Sequence, residues 1–186
     1  MKFKKLLFIL PLTLIIFIIA GCSSSKTQVN ENVVGEFDNA PTWINSKQIE
    51  GKVSELGNAK KRKLNFAQQR DRAITNAQEN LSKKLHLKII EIFKLLNEPS
   101  IDQELYNKQM LIATDEIMQN ASNSFKIRKL WQSETKTIYV LVSIDIKTLK
   151  EAIKFSTSTT LKDIPAISSN YSMQLEQGNI DLKLSN

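Results

Sequence analysis

One cysteine and one histidine in 186 residues remove most of the catalytic repertoire. A lone thiol forms no disulfide within the chain, and a zinc site wants three or four ligands from a set that is almost empty here. Serine catalysis needs a base such as histidine beside the nucleophile. The only histidine, His86, stands between the apolar Leu85 and Leu87 on a helical stretch, and the chain has neither a G-x-S-x-G turn nor a Gly-rich phosphate loop. No loop has the dense aspartates of a calcium site. Paired carboxylates could still do acid–base work on a glycan, but Asp115-Glu116 and the pair Glu50 and Glu55 are candidates by acidity alone. Adjacent residues on a helix point different ways. The expectation is a protein that is not an enzyme, with no cofactor and no metal site.

The position of the cysteine is more informative than its rarity. Met1-Lys2-Phe3-Lys4-Lys5 is basic, and residues 6–20 are apolar apart from Pro11 and Thr13. That is the layout of a secretory signal. A spanning helix needs about 20 apolar residues, and Ser23-Ser24-Ser25-Lys26 ends the run too early. Ile19-Ala20-Gly21-Cys22 resembles the lipobox of bacterial lipoproteins, in which the thiol receives a diacylglycerol and the chain is cut before the cysteine. Ala20 and Gly21 are small enough to admit a peptidase, and a thiol is the side chain nucleophilic enough to form the thioether. Cys22 is therefore the expected lipidation site, with residues 1–21 as the signal peptide. Two or three acyl chains make a firm anchor where one binds marginally. Ser23 stands where an aspartate would resemble an inner-membrane retention signal, so the outer membrane is the expected address.

Charge changes meaning once the signal is set aside. Lys2, Lys4 and Lys5 take three of the 26 basic residues, leaving 23 against 19 acidic ones, a net +4. Basicity that mild, at such an address, makes nucleic acid an unsuitable partner. Residues 22–39 read as the acylated cysteine and a polar tether. The 17 residues after Cys22 in that segment reach about 60 Å at most. Lys60-Lys61-Arg62-Lys63 is the densest charge run. It could meet an anionic surface such as lipid headgroups, although a solvated loop is the plainer reading.

Residues 40–155 carry the pattern of one modest domain. Ala40-Pro41-Thr42-Trp43-Ile44 is its first apolar cluster, and residues 51–59 read as a short strand between glycines. Asn65-Phe66-Ala67-Gln68 fits a capping box. After it Ala73, Ala77, Leu81, Leu85, Ile89 and Phe93 recur every fourth residue, with Ile74 and Ile92 widening the stripe, up to a stop before Pro99. Ser100-Ile101-Asp102-Gln103 reads as a second capping box, opening a helix with Tyr106, Met110, Ala113, Ile117 and Ala121 on its apolar face. Ile138, Val140, Val142, Ile144 and Ile146 alternate with Tyr139, Leu141, Ser143 and Asp145, as in a central strand. Residues 125–131 should form a hairpin with it, placing Phe125, Ile127 and Trp131 on one face. Trp43 and Trp131 are expected at the core or its edge, with exposed anchoring as the alternative. Asp145 is a candidate cap for a short helix over residues 147–155. Residues 156–186, Ser/Thr-rich with scattered Leu and Ile, read as a tail, either disordered or a strand that pairs with a partner.

Several of these pieces, in this order, resemble one family. Ala40-Pro41-Thr42-Trp43 follows a lipoprotein tether, a strand ends in Leu56-Gly57-Asn58-Ala59, the long helix carries Ala73, Ala77 and Asn80-Leu81, and the late strand is Ile138-Tyr139-Val140-Leu141-Val142-Ser143-Ile144-Asp145. Together with the lipobox, residues 40–155 are similar to the twenty-kilodalton membrane-associated lipoprotein family typified in Helicobacter. The resemblance implies an α+β fold, a small antiparallel sheet with a long helix and a second helix packed on it. It also implies a non-enzymatic, lipid-anchored outer-membrane lipoprotein acting through binding or assembly. Relatives of that kind are surface antigens or structural parts of a flagellar-motor-associated disk. Partners would then be the membrane, through Cys22, and further copies of the chain or another envelope protein. Only Cys22 carries over as a functional residue. The glycine-rich start of the family's first strand is thin here, with Gly51 and Gly57 alone.

Overall fold

The computed structural model describes residues 35–185. Cys22, the signal segment and most of the tether lie outside them. The fold grows from the strand with the plainest pattern, β3 (Ile138–Asp145). It is paired antiparallel on both sides, with β1 (Lys52–Ala59) and β2 (Lys126–Gln132), in the order β1-β3-β2. Ile138, Val140, Val142 and Ile144 face the main core, and Tyr139 and Leu141 face a second, smaller one. Both faces of the central strand are therefore apolar, which is why it holds the middle place.

α2 (Phe66–Leu96) lies along the first face. Its capping box is formed as expected, with the Gln68 amide donating to Asn65 Oδ1 at 2.9 Å and the Asn65 amide to Gln68 Oε1 at 3.2 Å. Ala73, Ala77, Leu81, Leu85, Ile89, Ile92 and Phe93 are fully buried. The small residues come first because the helix there touches the strand backbone. A Cβ added to Gly57 would sit 2.1 Å from the Ala77 amide nitrogen. Glycine at that position is what permits the approach.

α3 (Gln103–Ser122) packs beside α2, burying Tyr106, Ala113, Ile117 and Ala121, with Met110 half-buried. Its cap is Asp102, two residues later than the expected Ser100. The Asp102 carboxylate accepts from the amides of Glu104 and Leu105 at 3.0 and 3.1 Å. A carboxylate favours the positive end of the helix more than a hydroxyl does. The Gln103 amide instead donates to the carbonyls of Glu98 and Ile101, closing the turn after Pro99.

The hairpin forms, but a bulge between Ile127 and Lys129 leaves Arg128 unpaired. The extra residue reverses the alternation. Trp131 therefore pairs with Tyr139 on the second face while Ile127 pairs with Val142 on the first, so the two do not share a face as expected. α4 (Ile146–Thr159) follows β3 directly, with Leu149 and Ile153 buried. Asp145 occupies its cap position without a capping bond, because its carboxylate is taken by Lys52 and Arg128.

The expected tail is structured. α5 (Pro165–Glu176) and α6 (Asn179–Ser185) bring Ile167, Tyr171, Ile180 and Leu184 into the main core, together with Leu161 and Ile164. Polar contacts fix them. Asn170 Nδ2 donates to the Leu96 carbonyl at 3.0 Å, answering one of the open carbonyls at the end of α2. Tyr171 OH donates to the Lys150 carbonyl at 2.8 Å, and Lys150 pairs with Asp181 at 2.8 Å. The domain thus runs past residue 155 to residue 185.

On the second face, α1 (Trp43–Ser46) and its flanks cover Tyr139 and Leu141. Trp43 and Ile44 are buried there, and Trp131 is half-buried at the margin. Both tryptophans therefore belong to packing.

Candidate functional site

Described residues begin at Gly35, where the chain enters the domain. The Gly35 amide donates to Asp38 Oδ2 at 2.6 Å, and Tyr139 OH donates to Glu36 Oε1, also at 2.6 Å. The Phe37 ring lies 5.8 Å from that of Tyr139, and the Trp131 ring 5.5 Å away. Burial and the Glu36 acceptor push the Tyr139 phenol up to about 12. The bond from Tyr139, aided by Thr137 and the charge of Lys60, holds the Glu36 carboxyl below the usual carboxylate range. The chain thus enters the fold over the first residues of β3.

The same pole carries the basic run. Asn58 pairs with Tyr139 and Ala59 with Ile138, so Lys60 leaves the sheet beside Glu36 and the entering chain. Gln69, buried on α2, fastens this end. Its amide donates to the Ala59 carbonyl at 2.7 Å and to the Lys136 carbonyl in the β2–β3 turn at 2.6 Å. Lys60, Lys61, Arg62, Lys63 and Lys136 are all exposed. Two large apolar rings stand out with them, Phe37 at 55% and Phe66 at 53% exposure. Acidic groups here are fewer: Glu36 and Asp38, both hydrogen-bonded as above, and Glu134 in the turn.

The two edges of the sheet are finished differently. Along β1, side chains of α2 reach the outward carbonyls: Asn76 to Asn58 at 2.7 Å, Asn80 to Leu56 at 2.8 Å and Lys84 to Ser54 at 3.4 Å. Four helical residues rise about 6 Å and two strand residues about 6.7 Å, so the rows stay in step over three contacts. That edge is closed to further strands. β2 is the other edge, and it carries the bulge together with the exposed Lys126 and Lys129, features that discourage edge pairing. Ile127 and Leu130 remain exposed on its helix-side face.

The residues considered for catalysis do not assemble. Asp115 borders a shallow groove of about 500 Å³ between α2 and α3, shared with Ser82 and His86. No hydrogen bond links any two of those three. Glu116 faces away and accepts from Thr160. Glu55 is held by Lys84 at 3.0 Å, while Glu50 lies in the connection between α1 and β1. Among the described residues no three His, Cys, Asp or Glu side chains gather as metal ligands would, and no helix is long and apolar enough to cross a membrane.

Sequence reasoning found the basic run but not its place beside residues 35–38, which depends on the β1–β3 register. It also missed the α2 ladder on β1. The spacing of Asn76, Asn80 and Lys84 by four was the available signal.

Compared with known proteins, the chain matches no protein-family model, and no curated protein is significantly similar to it.

Proposed function

We propose that this protein is a lipid-anchored outer-membrane lipoprotein that works by binding or assembly and not by catalysis. The observation that carries the reading is the placement of Cys22, after a basic start, an apolar run and Ala20-Gly21, and before a polar tether. The resemblance to the twenty-kilodalton lipoprotein family supports it. The residues of that resemblance have structural tasks: Trp43 packs on the second face, Gly57 admits Ala73 and Ala77, and Asn80 seals the β1 edge. A match in such residues speaks for a shared scaffold and assigns no chemistry. The experiment is metabolic labelling with palmitate followed by membrane fractionation. The native chain should take the label and collect in the outer membrane, and Cys22→Ser should do neither. Label on the serine variant would overturn the proposal.

A second reading, a structural subunit of a disk or ring around a membrane machine such as the flagellar motor, is favoured by exposed apolar residues. These are Leu105, Leu111 and Ile112 on α3 and Ile127 and Leu130 on β2. Light scattering in mild detergent, corrected for the micelle, separates the two: a defined large oligomer supports the subunit and a monomer refutes it. A third role, as surface antigen or adhesin, requires that protease added to intact cells reach the domain.

A further inference from the structure

We infer that the domain stands on its membrane through the pole described above, with the loop of residues 60–63 against anionic lipid headgroups. This rests on the lipoprotein reading and deepens it. The anchor and the loop are independent features of the sequence, 38 residues apart from Cys22 to Lys60. The fold brings the loop to the place where the anchored segment enters. From Cys22 to Gly35 there are 13 residues, which span at most about 45 Å. The point where the chain enters the domain, at Gly35, is therefore never farther than that from the acylated residue, so the covalent attachment keeps this pole within reach of the bilayer.

Charge and shape fit that neighbour. Elsewhere Lys52, Lys84, Arg128, Lys150 and Lys183 each pair with a carboxylate, while exposed cations such as Lys126 and Lys129 stand apart from one another; the 60–63 loop differs in holding four cations in consecutive positions. Among the described residues none of the four cations of the 60–63 loop is in an ion pair. Each basic residue close to an anionic surface strengthens partition by about fivefold. Anchoring makes the contact intramolecular, so weak contacts suffice. Phe37 and Phe66, both more than half exposed beside the loop, supply apolar rings of the kind that enter the headgroup region.

The test uses the full lipidated protein, its lipid on Cys22 first verified by mass. It is reconstituted in phosphatidylcholine vesicles with and without phosphatidylglycerol, and trypsin cleavage within residues 60–63 is timed. Cleavage should be at least about fivefold slower on the anionic vesicles, and added salt should abolish the difference. Replacing the four residues together, Lys60→Glu, Lys61→Glu, Arg62→Glu and Lys63→Glu, removes the trypsin sites. For that variant the readout is bromolipid quenching of the fluorescence of Trp43 and Trp131 together, which should fall relative to the native chain on anionic vesicles while the melting temperature stays unchanged. Equal cleavage on both vesicles, with lipid present on Cys22, overturns the docking and leaves the anchor intact. Absence of lipid from Cys22 overturns the anchor and the docking with it.

Discussion

Gly57→Ala places a methyl carbon 2.1 Å from the Ala77 amide nitrogen and 2.5 Å from the Ala73 carbonyl oxygen. Comfortable contact begins near 3.5 Å, so α2 must retreat from β1 by more than about 1 Å. Both clashing atoms are backbone, so no rotamer change relieves them. Overpacking of this kind costs about 1–3 kcal/mol. The retreat also stretches the bonds from Asn76 and Asn80 to β1, now 2.7 and 2.8 Å, at about 0.5–1.5 kcal/mol each. The sum is about 2–6 kcal/mol, or on the order of 10 °C in melting temperature for a domain of this size. Thermal unfolding followed by circular dichroism reads it. Gly51→Ala is the control: its φ of 68° is strained for alanine, but nothing lies within 4 Å, so it should cost only about 1 kcal/mol. Ala77→Gly should not rescue Gly57→Ala, since the clash is with the helix backbone. A Gly57→Ala protein within about 0.5 kcal/mol of native would mean that α2 does not approach β1 as described.

Three further predictions concern other parts of the fold. Gln69→Ala leaves the carbonyls of Ala59 and Lys136 without their buried partner and should cost about 2–4 kcal/mol, with faster amide exchange in the β2–β3 turn; unchanged exchange there would deny it the fastening role. Ile180→Ala should destabilise by about 2–5 kcal/mol, because Ile180 is fully buried; a change near zero in denaturant unfolding would return residues 156–185 to the status of a tail. For Glu36, whose folded pKa is depressed, the stabilising bond is present above the ordinary carboxylate range and is lost as pH falls through the lower folded value. Protection factors of the amides of residues 35–40, corrected for the intrinsic pH dependence of exchange, should drop on acidification in the native chain and show no such step in Glu36→Gln.

The parts of the fold that sequence reasoning reached are those with long, single-period patterns. The β-branched alternation of residues 138–144 and the four-residue recurrence from Ala73 to Phe93 each persist long enough to declare their structure. What escaped was short or locally irregular. In the last thirty residues, Ile164, Ile167 and Tyr171, then Ile180 and Leu184, do keep helical spacing, but over too few turns to stand out among serines and threonines. Punctuation was present: Pro165 opens α5, and Gly178, at a φ of 74°, stands between it and α6. The bulge at Arg128 had one trace, the spacing of three between Ile127 and Leu130, which a regular strand would put on opposite faces. The second capping box failed because Ser100 and Asp102 both qualify by type, and only the geometry of the turn chooses between them. The lipid-anchor reading belongs wholly to the residues before Gly35.

The central claim is that Cys22 is the acylated first residue of the mature protein. Intact-mass measurement of the chain extracted from membranes tests it most directly. The account predicts a polypeptide beginning at Cys22 and carrying a diacylglycerol with a further acyl chain on its amino group. A chain that keeps residues 1–21, or one in which Cys22 is an unmodified thiol, would contradict it.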